Sequence, residues 1–288
     1  MRVRFPFKLS ADAMRCFWDD MIKRTVLLLT LLTAGLGFSG CGPSYPKDSV
    51  TVSIEKLLKK EFKLIGHAKI IGETVYLEVI LTGLVSTEQK VLTEILKKVQ
   101  GAALIITRVS LSSDAKISNM VLVVSEPRFG LNLRIIQRLD DIKGFLYQKI
   151  SKQDYEERLV LEIEPAGEKP YTLESEMLKN GDIGAREFTG RLIVSQINML
   201  SRSNPFLAVV LGNTQLKYID FRGDELVVGV SNTVAKTMMP FFEDIIRSQA
   251  QKIAKKNLVA GPLRIKLMDG DNKATLIELA GKTANAKP

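Results

Sequence analysis

An internal repeat constrains the fold of this chain more than any other sequence feature. Residues 72–79 (GETVYLEV) align without gaps to residues 223–230 (GDELVVGV). Each copy has a turn glycine, an acidic residue and then the apolar and β-branched residues of a strand. The pattern predicts a β-hairpin in each copy, with first strands at 63–71 and 215–221. Chance resemblance is the alternative, because the match is confined to this short stretch.

An amphipathic helix pattern follows each hairpin. In the first copy Val91, Ile95 and Val99 have helical spacing, and Gly101 is expected to end the helix. The strands of a second hairpin are then expected at 104–111 and 119–125 in the first copy, and at 263–268 and 274–279 in the second. For residues 104–111, a helix that continues past Gly101 is the alternative.

With leading helices at 52–62 and 188–201, the element order becomes αββαββ in both copies. This order predicts an α+β fold, with two two-layer sandwich modules that each have an antiparallel sheet and helices on one face. The uncovered sheet face must then meet the other copy, lipid or a partner. Four further elements are expected between the copies: strands at 131–136 and 159–163, a helix at 139–148 and a short helix capped by Ser151.

Residues Met21–Cys41 (MIKRTVLLLTLLTAGLGFSGC) have the pattern of a secretory signal peptide. Lys23 and Arg24 provide the basic start, and small residues follow the apolar run. The apolar run is shorter than the roughly 20 residues that span a bilayer, which argues against a transmembrane helix. Because residues 1–20 contain three acidic residues, translation is expected to start at Met21, unless the signal carries a cytoplasmic extension.

The end of this segment, Phe38-Ser39-Gly40-Cys41, resembles the lipobox of bacterial lipoproteins, with Phe38 where Leu is usual. The resemblance implies cleavage before Cys41, diacylglycerol on its thiol and a fatty acyl chain such as palmitate on its amino group. Two or more chains, at ~0.8 kcal/mol per buried methylene, would hold the protein on a membrane. The family also implies a place in the cell envelope. Gly42, in place of a retaining Asp, favours the periplasmic face of the outer membrane over the inner membrane.

The sequence predicts six parts. They are the signal peptide region 1–40, a lipidated tether 41–49, a first α+β module with an extra strand and helices 50–163, a linker 164–186, a second α+β module 187–279 and a disordered tail 280–288.

Charge limits the classes of partner. The chain has 41 Lys and Arg and 32 Asp and Glu; removal of residues 1–40 takes away six and three of these, leaving 35 and 29 and a net charge of +6. Outside the cytoplasm a basic excess favours anionic lipid headgroups or acidic envelope polymers over nucleic acid. A solvated surface with a mild basic excess is the simpler alternative.

Residues with catalytic or metal-binding chemistry are scarce. The sole histidine, His67, is expected on a strand, and the chain has two cysteines, of which Cys41 remains after cleavage, so no usual zinc set can form. Ser53 and Lys56 match an S-x-x-K motif without its K-T-G and S-D-N partners and are expected on a helix. Asp269-Gly270-Asp271 is expected to be a hairpin turn rather than a calcium loop. We therefore predict a protein that is not an enzyme and has no cofactor or metal.

Two acidic residues, Glu162 and Glu164, share one face of a predicted strand. We interpret this face as the solvated side of the strand.

Residues 216–246 (LKYIDFRGDELVVGVSNTVAKTMMPFFEDII), followed by LRIKLM, are similar to the N-terminal domain of the bacterial replication initiator and to related partner-binding modules. The similarity covers about a quarter of the chain after Cys41 and implies a fold type and an interaction role. No functional residue is carried over from so general a pattern. A replication role conflicts with the lipobox, so a nucleic acid partner is not expected.

The helix of the second module provides candidate contact residues. Val234, Met238, Phe241 and Ile245 lie at spacings of four, three and four, and a regular helix would place them in one core stripe unless Pro240 kinks it. Beside this stripe, Phe242 and Ile246 are predicted to contact a protein partner or an apolar ligand. A plain core role is the alternative for both.

Three functional hypotheses follow. The first, which we favour, is a non-catalytic assembly or accessory factor that is anchored to the membrane and binds an envelope protein through an open sheet face or edge. The second is a carrier or sensor of lipid or another apolar ligand, held between sheet and helices. The third is a glycan hydrolase that uses carboxylates alone.

Overall fold

The computed structural model describes residues 45–84, 89–165, 181–203, 215–222, 224–230, 239–256, 263–268 and 274–279. These residues form two compact units. Unit 1 comprises the described residues through Lys152 together with Ile163–Asp182, and unit 2 comprises Gln153–Glu162 together with the described residues from Ile183 onward. Residues 153–162, which the sequence assigns to the first module, therefore lie in unit 2.

The elements from residue 47 to residue 165 follow the predicted order closely. A short 3-10 helix, Lys47–Ser49, leads into helix α1. The elements are α1 (Val50–Phe62), β1 (Gly66–Ile71), β2 (Thr74–Ile80), α2 (Gln89–Leu111), β3 (Asn119–Glu126), β4 (Leu131–Arg138), α3 (Leu139–Leu146), α4 (Lys152–Glu156) and β5 (Val160–Pro165). A second 3-10 helix, Pro127–Phe129, joins β3 to β4.

The later part of the chain repeats this order. Its elements are α5 (Ala185–Ser203), β6 (Leu216–Arg222), β7 (Glu225–Val230), α6 (Met239–Lys256), β8 (Leu263–Met268) and β9 (Ala274–Leu279). The strands predicted at 263–268 and 274–279 have the observed bounds. The predicted α+β class and the αββαββ order in both halves are confirmed.

The sheets are mixed rather than antiparallel. One sheet has five strands in the order β1-β2-β3-β4-β5, and the other has four in the order β6-β7-β8-β9. In both, the second strand pairs with the third in parallel, while the first and second, and the third and fourth, are antiparallel. The prediction of purely antiparallel sheets is wrong at this pairing, because the intervening helix returns the chain to the same end of the sheet.

Residues 104–111 form the last part of α2, so the prediction of a strand there is wrong. Gly101, expected to end the helix, lies inside it. A Cβ atom at Gly101 would overlap the ring of Phe62 in α1, so the glycine allows the two helices to approach closely. The second hairpin of unit 1 is formed instead by β3 and β4, which preserves the αββαββ order.

Both faces of the sheet in unit 1 are buried at its centre. The residues from Thr74 to Val79 in β2 are all buried, although successive side chains of a strand point to opposite faces. Leu58 of α1 lies on the face that carries Leu77. On the other face the Tyr76 hydroxyl donates to the Gly181 carbonyl at 2.6 Å. The uncovered face expected of a two-layer sandwich is therefore absent at β2.

The residues that immediately follow the predicted lipidation site belong partly to the folded body. The Tyr45 amide donates to the Ser112 carbonyl at 3.2 Å, and the Asp114 amide donates to the Tyr45 carbonyl at 3.4 Å. Residues 45–49 of the predicted tether are thus structured and continue directly into α1. The rest of the tether, the signal peptide region and the tail 280–288 lie outside the described residues.

Candidate functional site

A polar stripe runs along α5 in unit 2. Glu187, Arg191, Ser195 and Asn198 are spaced by four, four and three residues, which places them on one side of a helix. Five apolar residues of the helix are buried: Phe188, Leu192, Ile193, Val194 and Ile197. Sequence reasoning followed the apolar residues and missed this stripe, although the same spacing rule could have revealed it.

Arg191 is the centre of a buried ion-pair network. Its side chain donates to both carboxylate oxygens of Glu162 at 2.9 and 3.0 Å, and to Glu187 at 2.9 Å. Its guanidinium lies 4.5 Å from the centre of the Tyr218 ring, a cation–π arrangement. Arg191 is only 5% exposed. The interpretation of Glu162 as a solvated strand residue is therefore wrong, because its side chain is 11% exposed and ion-paired.

Burial changes the acidity of the groups around Arg191. It raises the pKa of Glu187 above the ordinary range; Arg191 opposes this rise, while Glu162 and Asp220 add to it. Burial also raises the pKa of Tyr218, and the charge of Glu187 adds to the effect. By contrast, hydrogen bonds from Arg222 and from the Phe221 amide lower the pKa of Asp220. A buried, ion-paired carboxylate pair of this kind suits a structural network better than an open hydrolytic cleft.

The other two polar residues of the stripe, Ser195 and Asn198, hydrogen-bond to the backbone of edge strands, which we call closing the edge. The Ser195 hydroxyl accepts from the Leu161 amide at 2.8 Å and donates to the Leu161 carbonyl at 3.0 Å. Asn198 accepts from the Leu216 amide at 2.8 Å and donates to the Leu216 carbonyl at 2.7 Å. Each side chain thus satisfies the backbone groups of an edge residue as a neighbouring strand would, one on β5 and one on β6.

A second set of ion pairs binds residues 153–162 to the end of α6. The Lys256 ammonium lies 2.8 Å from Asp154 and 2.6 Å from Glu157. Hydrogen bonds with these two carboxylates raise the pKa of Lys256. Together with Arg191 and Ser195, these contacts explain why this segment belongs to unit 2.

One face of the four-stranded sheet is covered by helix, and the other exposes Ile219 and Leu276 although Val227 at its centre is buried. On the covered face, Gly190 of α5 sits so close to Leu226 that a Cβ would lie 2.7 Å from it. Leu226, Ile265 and Ile277 form a row across three strands on this face and are fully buried. The residues between them along each strand point the other way. We call that other side the open face of unit 2.

The open face carries a row of charges with alternating sign. Arg222, Glu225, Arg264 and Glu278 lie opposite one another on successive strands from β6 to β9. Opposite charges that face each other across strands are mutually stabilising. The row therefore begins with a cation on β6 and ends with an anion, Glu278, on β9.

Apolar residues lie beside this charged row. Ile219 and Leu276 are each 50% exposed. The side chain of Ile219 lies over Gly229, which confirms that it is on the open face. Leu276 lies opposite Lys266 in the next row. The open face thus carries two half-exposed aliphatic side chains beside charged residues.

The predicted contact residues of the second module lie in the core. Phe242 is 1% exposed and Ile246 is 0% exposed, and they form one buried stripe with Ala250 and Ile253. Ile245, expected in the core stripe, is half-buried. Val234, Met238 and the side chain of Phe241 lie outside the described part of the chain. A contact of Phe242 or Ile246 with a partner or an apolar ligand stays a prediction.

The remaining candidates are dispersed. His67 is on β1 with an exposed side chain, 4.0 Å from Glu55. Ser53 and Lys56 are on α1, as expected from the sequence. Cys41 and residues 269–271 lie outside the described part of the chain.

Two absences apply to the described residues alone. Among them, no three His, Cys, Asp or Glu side chains come together as a group that could hold a metal ion. Within the same ranges, no helix has the length and apolar character needed to cross a membrane.

Comparison with known protein families, with curated proteins and with solved structures finds no match to this chain.

Proposed function

We propose that this protein is a lipid-anchored protein of the bacterial cell envelope that is not an enzyme and acts as an assembly or accessory factor by binding another protein. The lipid is carried by Cys41, and the binding surface is the open face of unit 2. The lipobox-like end of the signal peptide supports the anchor. Gly42 supports the periplasmic face of the outer membrane as its location.

The start of the folded body is consistent with such an anchor. Residues 42–44 separate Cys41 from Tyr45, whose backbone is bonded to the loop after α2. At roughly 3.5 Å per extended residue, this spacing keeps Tyr45 within about 14 Å of the acylated cysteine. Unit 1 would then lie close to the membrane surface.

The observation that carries the binding role is the exposure of Ile219 and Leu276 on a sheet face that also carries two ion pairs. Arg222 lies 2.9 Å from Asp220, and Lys266 lies 3.8 Å from Glu225. Pairing offsets part of the cost of removing these charges from water when a partner covers the face. The exposed aliphatic groups then provide the favourable burial, at about 25 cal/mol per Å² of apolar area.

The anchor is tested by intact-mass and N-terminal peptide analysis of the native protein. We expect an acylated Cys41 as the mature amino terminus and an unprocessed precursor for Cys41→Ser. An unmodified Cys41, or a recovered peptide that contains Trp18, would refute the anchor.

The binding surface is tested by site-specific photo-crosslinking in cells. A photoreactive phenylalanine analogue at Ile219 is expected to form an adduct with another protein. The same analogue at Ile65, an exposed aliphatic residue of unit 1, is the matched control and is expected to form none. Equal adducts at both positions, or none at Ile219, would contradict the proposed surface.

A further inference from the structure

The edge strands of the two sheets differ in whether side chains hydrogen-bond to their outward-facing backbone groups. This difference points to a binding mode. A sheet edge exposes unpaired amides and carbonyls that can pair with another strand. Three of the four edges are closed at least at one residue by a side chain of the same chain. On β1 the Ala68 amide donates to Glu55 at 2.9 Å, and β5 and β6 are closed at Leu161 and Leu216 by Ser195 and Asn198.

The fourth edge, β9, shows no such closure within the described ranges. Among the residues that the structure describes, no side-chain hydrogen bond reaches the backbone of Ala274–Leu279, which pairs with β8 alone. The strand is six residues long and contains no proline and no lysine, the residues that proteins commonly place on edges to prevent pairing. An added strand would therefore meet no side chain, among the described residues, that is already bonded to the β9 backbone.

The rows of the open face define the side chains that such a strand needs. The charged row Arg222, Glu225, Arg264 and Glu278 alternates in sign and ends with an anion at the β9 edge. A basic residue opposite Glu278 would continue the alternation. Leu276, two residues earlier on the same face, is half-exposed and would face an apolar residue.

We propose that β9 is a docking edge that binds an extended segment of a partner protein as a fifth strand, with a basic side chain opposite Glu278 and an apolar side chain opposite Leu276. The inference rests on the proposed function, because it specifies how the partner binds. Backbone hydrogen bonds would supply the affinity and the two side chains the specificity. A second copy of this chain fits less well, because β9 (ATLIEL) contains no cation to place opposite Glu278.

The first test is amide hydrogen exchange on the purified full-length chain. The β9 amides that point away from β8 are expected to exchange rapidly, while the side-chain-bonded amides of Ala68, Leu161 and Leu216 exchange slowly. Slow exchange along the whole of β9 would show that its edge is already occupied and would overturn the proposal.

The second test identifies the occupant. A photoreactive residue at Leu276 is crosslinked in cells and the attached peptide is mapped by mass spectrometry. We expect a segment of another protein with a Lys or Arg two residues from an apolar residue. Glu278→Lys should lower the adduct yield about five- to tenfold, and a Lys→Glu change at the mapped residue should restore it. Asp244→Lys, on the exposed side of α6, is the matched control and should leave the yield unchanged.

The outcomes separate this inference from the proposed function. An adduct at Ile219 but not at Leu276, an adduct between two copies of this chain, or a yield that Glu278→Lys does not alter would overturn the docking edge alone. Absence of adducts at both positions would overturn the proposed binding surface as well.

Discussion

Arg191 donates two hydrogen bonds to Glu162, a residue that precedes it by 29 positions in the chain. The pair joins β5 to α5, and Glu187 supplies a second carboxylate one helical turn before Arg191. The network combines ion pairing with burial, since Arg191 is 5% exposed. It therefore provides direct tests of the structure.

Arg191→Met is expected to destabilise the protein strongly. Loss of the guanidinium would leave two largely buried carboxylates without their cation, at a cost of about 3–5 kcal/mol. Arg186→Met on the same helix is the control, because Arg186 pairs with Asp224 at 3.1 Å in an exposed position, where such pairs contribute about 0–1 kcal/mol. Urea denaturation measures both, and equal effects would show that Arg191 is not buried as described.

Glu187→Gln is expected to change how stability depends on pH. Because burial raises the pKa of Glu187 in the folded state, this group contributes stability that is fully present below its unfolded pKa and is lost as pH rises through its folded pKa. Glutamine stays neutral and can still accept from Arg191. The variant should therefore exceed wild type in stability most at neutral pH, and this difference in stability should shrink as the pH is lowered.

Thermal melting between pH 4 and pH 8 measures this difference. The difference between variant and wild type is the quantity to compare, because other carboxylates titrate in the same range with the opposite sign. Among them is Glu157: burial raises its pKa, but the hydrogen bonds from Lys256 and Gln153, with the charges of Lys252 and Lys256, together outweigh burial and lower the pKa. If the difference in melting temperature between variant and wild type does not vary with pH, the raised pKa of Glu187 is contradicted.

Gly101→Ala and Gly144→Ala are expected to have opposite effects, although both replace a helical glycine. A Cβ at Gly101 would overlap the Phe62 ring, and overpacking of this kind typically costs about 1–3 kcal/mol. At Gly144 the nearest atom to a new Cβ is 3.6 Å away, so the better helix propensity of alanine should stabilise by about 0.5–1 kcal/mol. Melting temperatures distinguish the two, and stabilisation by Gly101→Ala would argue against the close approach of α1 and α2.

Asn198→Ala is expected to open the edge of β6. It removes both partners of the Leu216 backbone, and an unsatisfied buried polar group costs about 1–3 kcal/mol. Hydrogen exchange at the Leu216 amide should accelerate in this variant. Asn198→Asp retains the acceptor for that amide and should preserve its protection; acceleration in both variants, or in neither, would contradict the edge contact.

Most of the element order was predictable from local sequence, and the exceptions share a physical cause. The apolar spacing of α2 and the turn glycine at 72 are local signals, and Gly72 does adopt a φ of +56°. By the same kind of local signal, a glycine after an apolar helical pattern, Gly101 is predicted to end the helix. Its role depends on Phe62, which lies far away in sequence, and no local pattern contains that information.

The type of candidate surface was predictable from the sequence, but its location was not. An open sheet face or edge follows from an αββαββ order, but the sequence could not say that the sheet of unit 1 is buried on both faces at β2 while that of unit 2 exposes Ile219 and Leu276 on one face. Phe242 and Ile246 illustrate the same limit. Their spacing identifies an amphipathic helix, whereas the direction in which the stripe faces is set by packing, which buries both.

The sequence by itself determined the signal peptide pattern, the repeat and the α+β class, because these depend on hydrophobic periodicity and turn residues within short windows. Tertiary structure alone decided that residues 153–162 join unit 2 and that Arg191 holds Glu162 and Glu187. It also decided that, in the part of the chain that the structure describes, β9 lacks the side-chain hydrogen bonds found on the other edges. These features depend on contacts between residues distant in sequence. Such contacts form only when burial brings their polar groups together and requires each of them to find a partner.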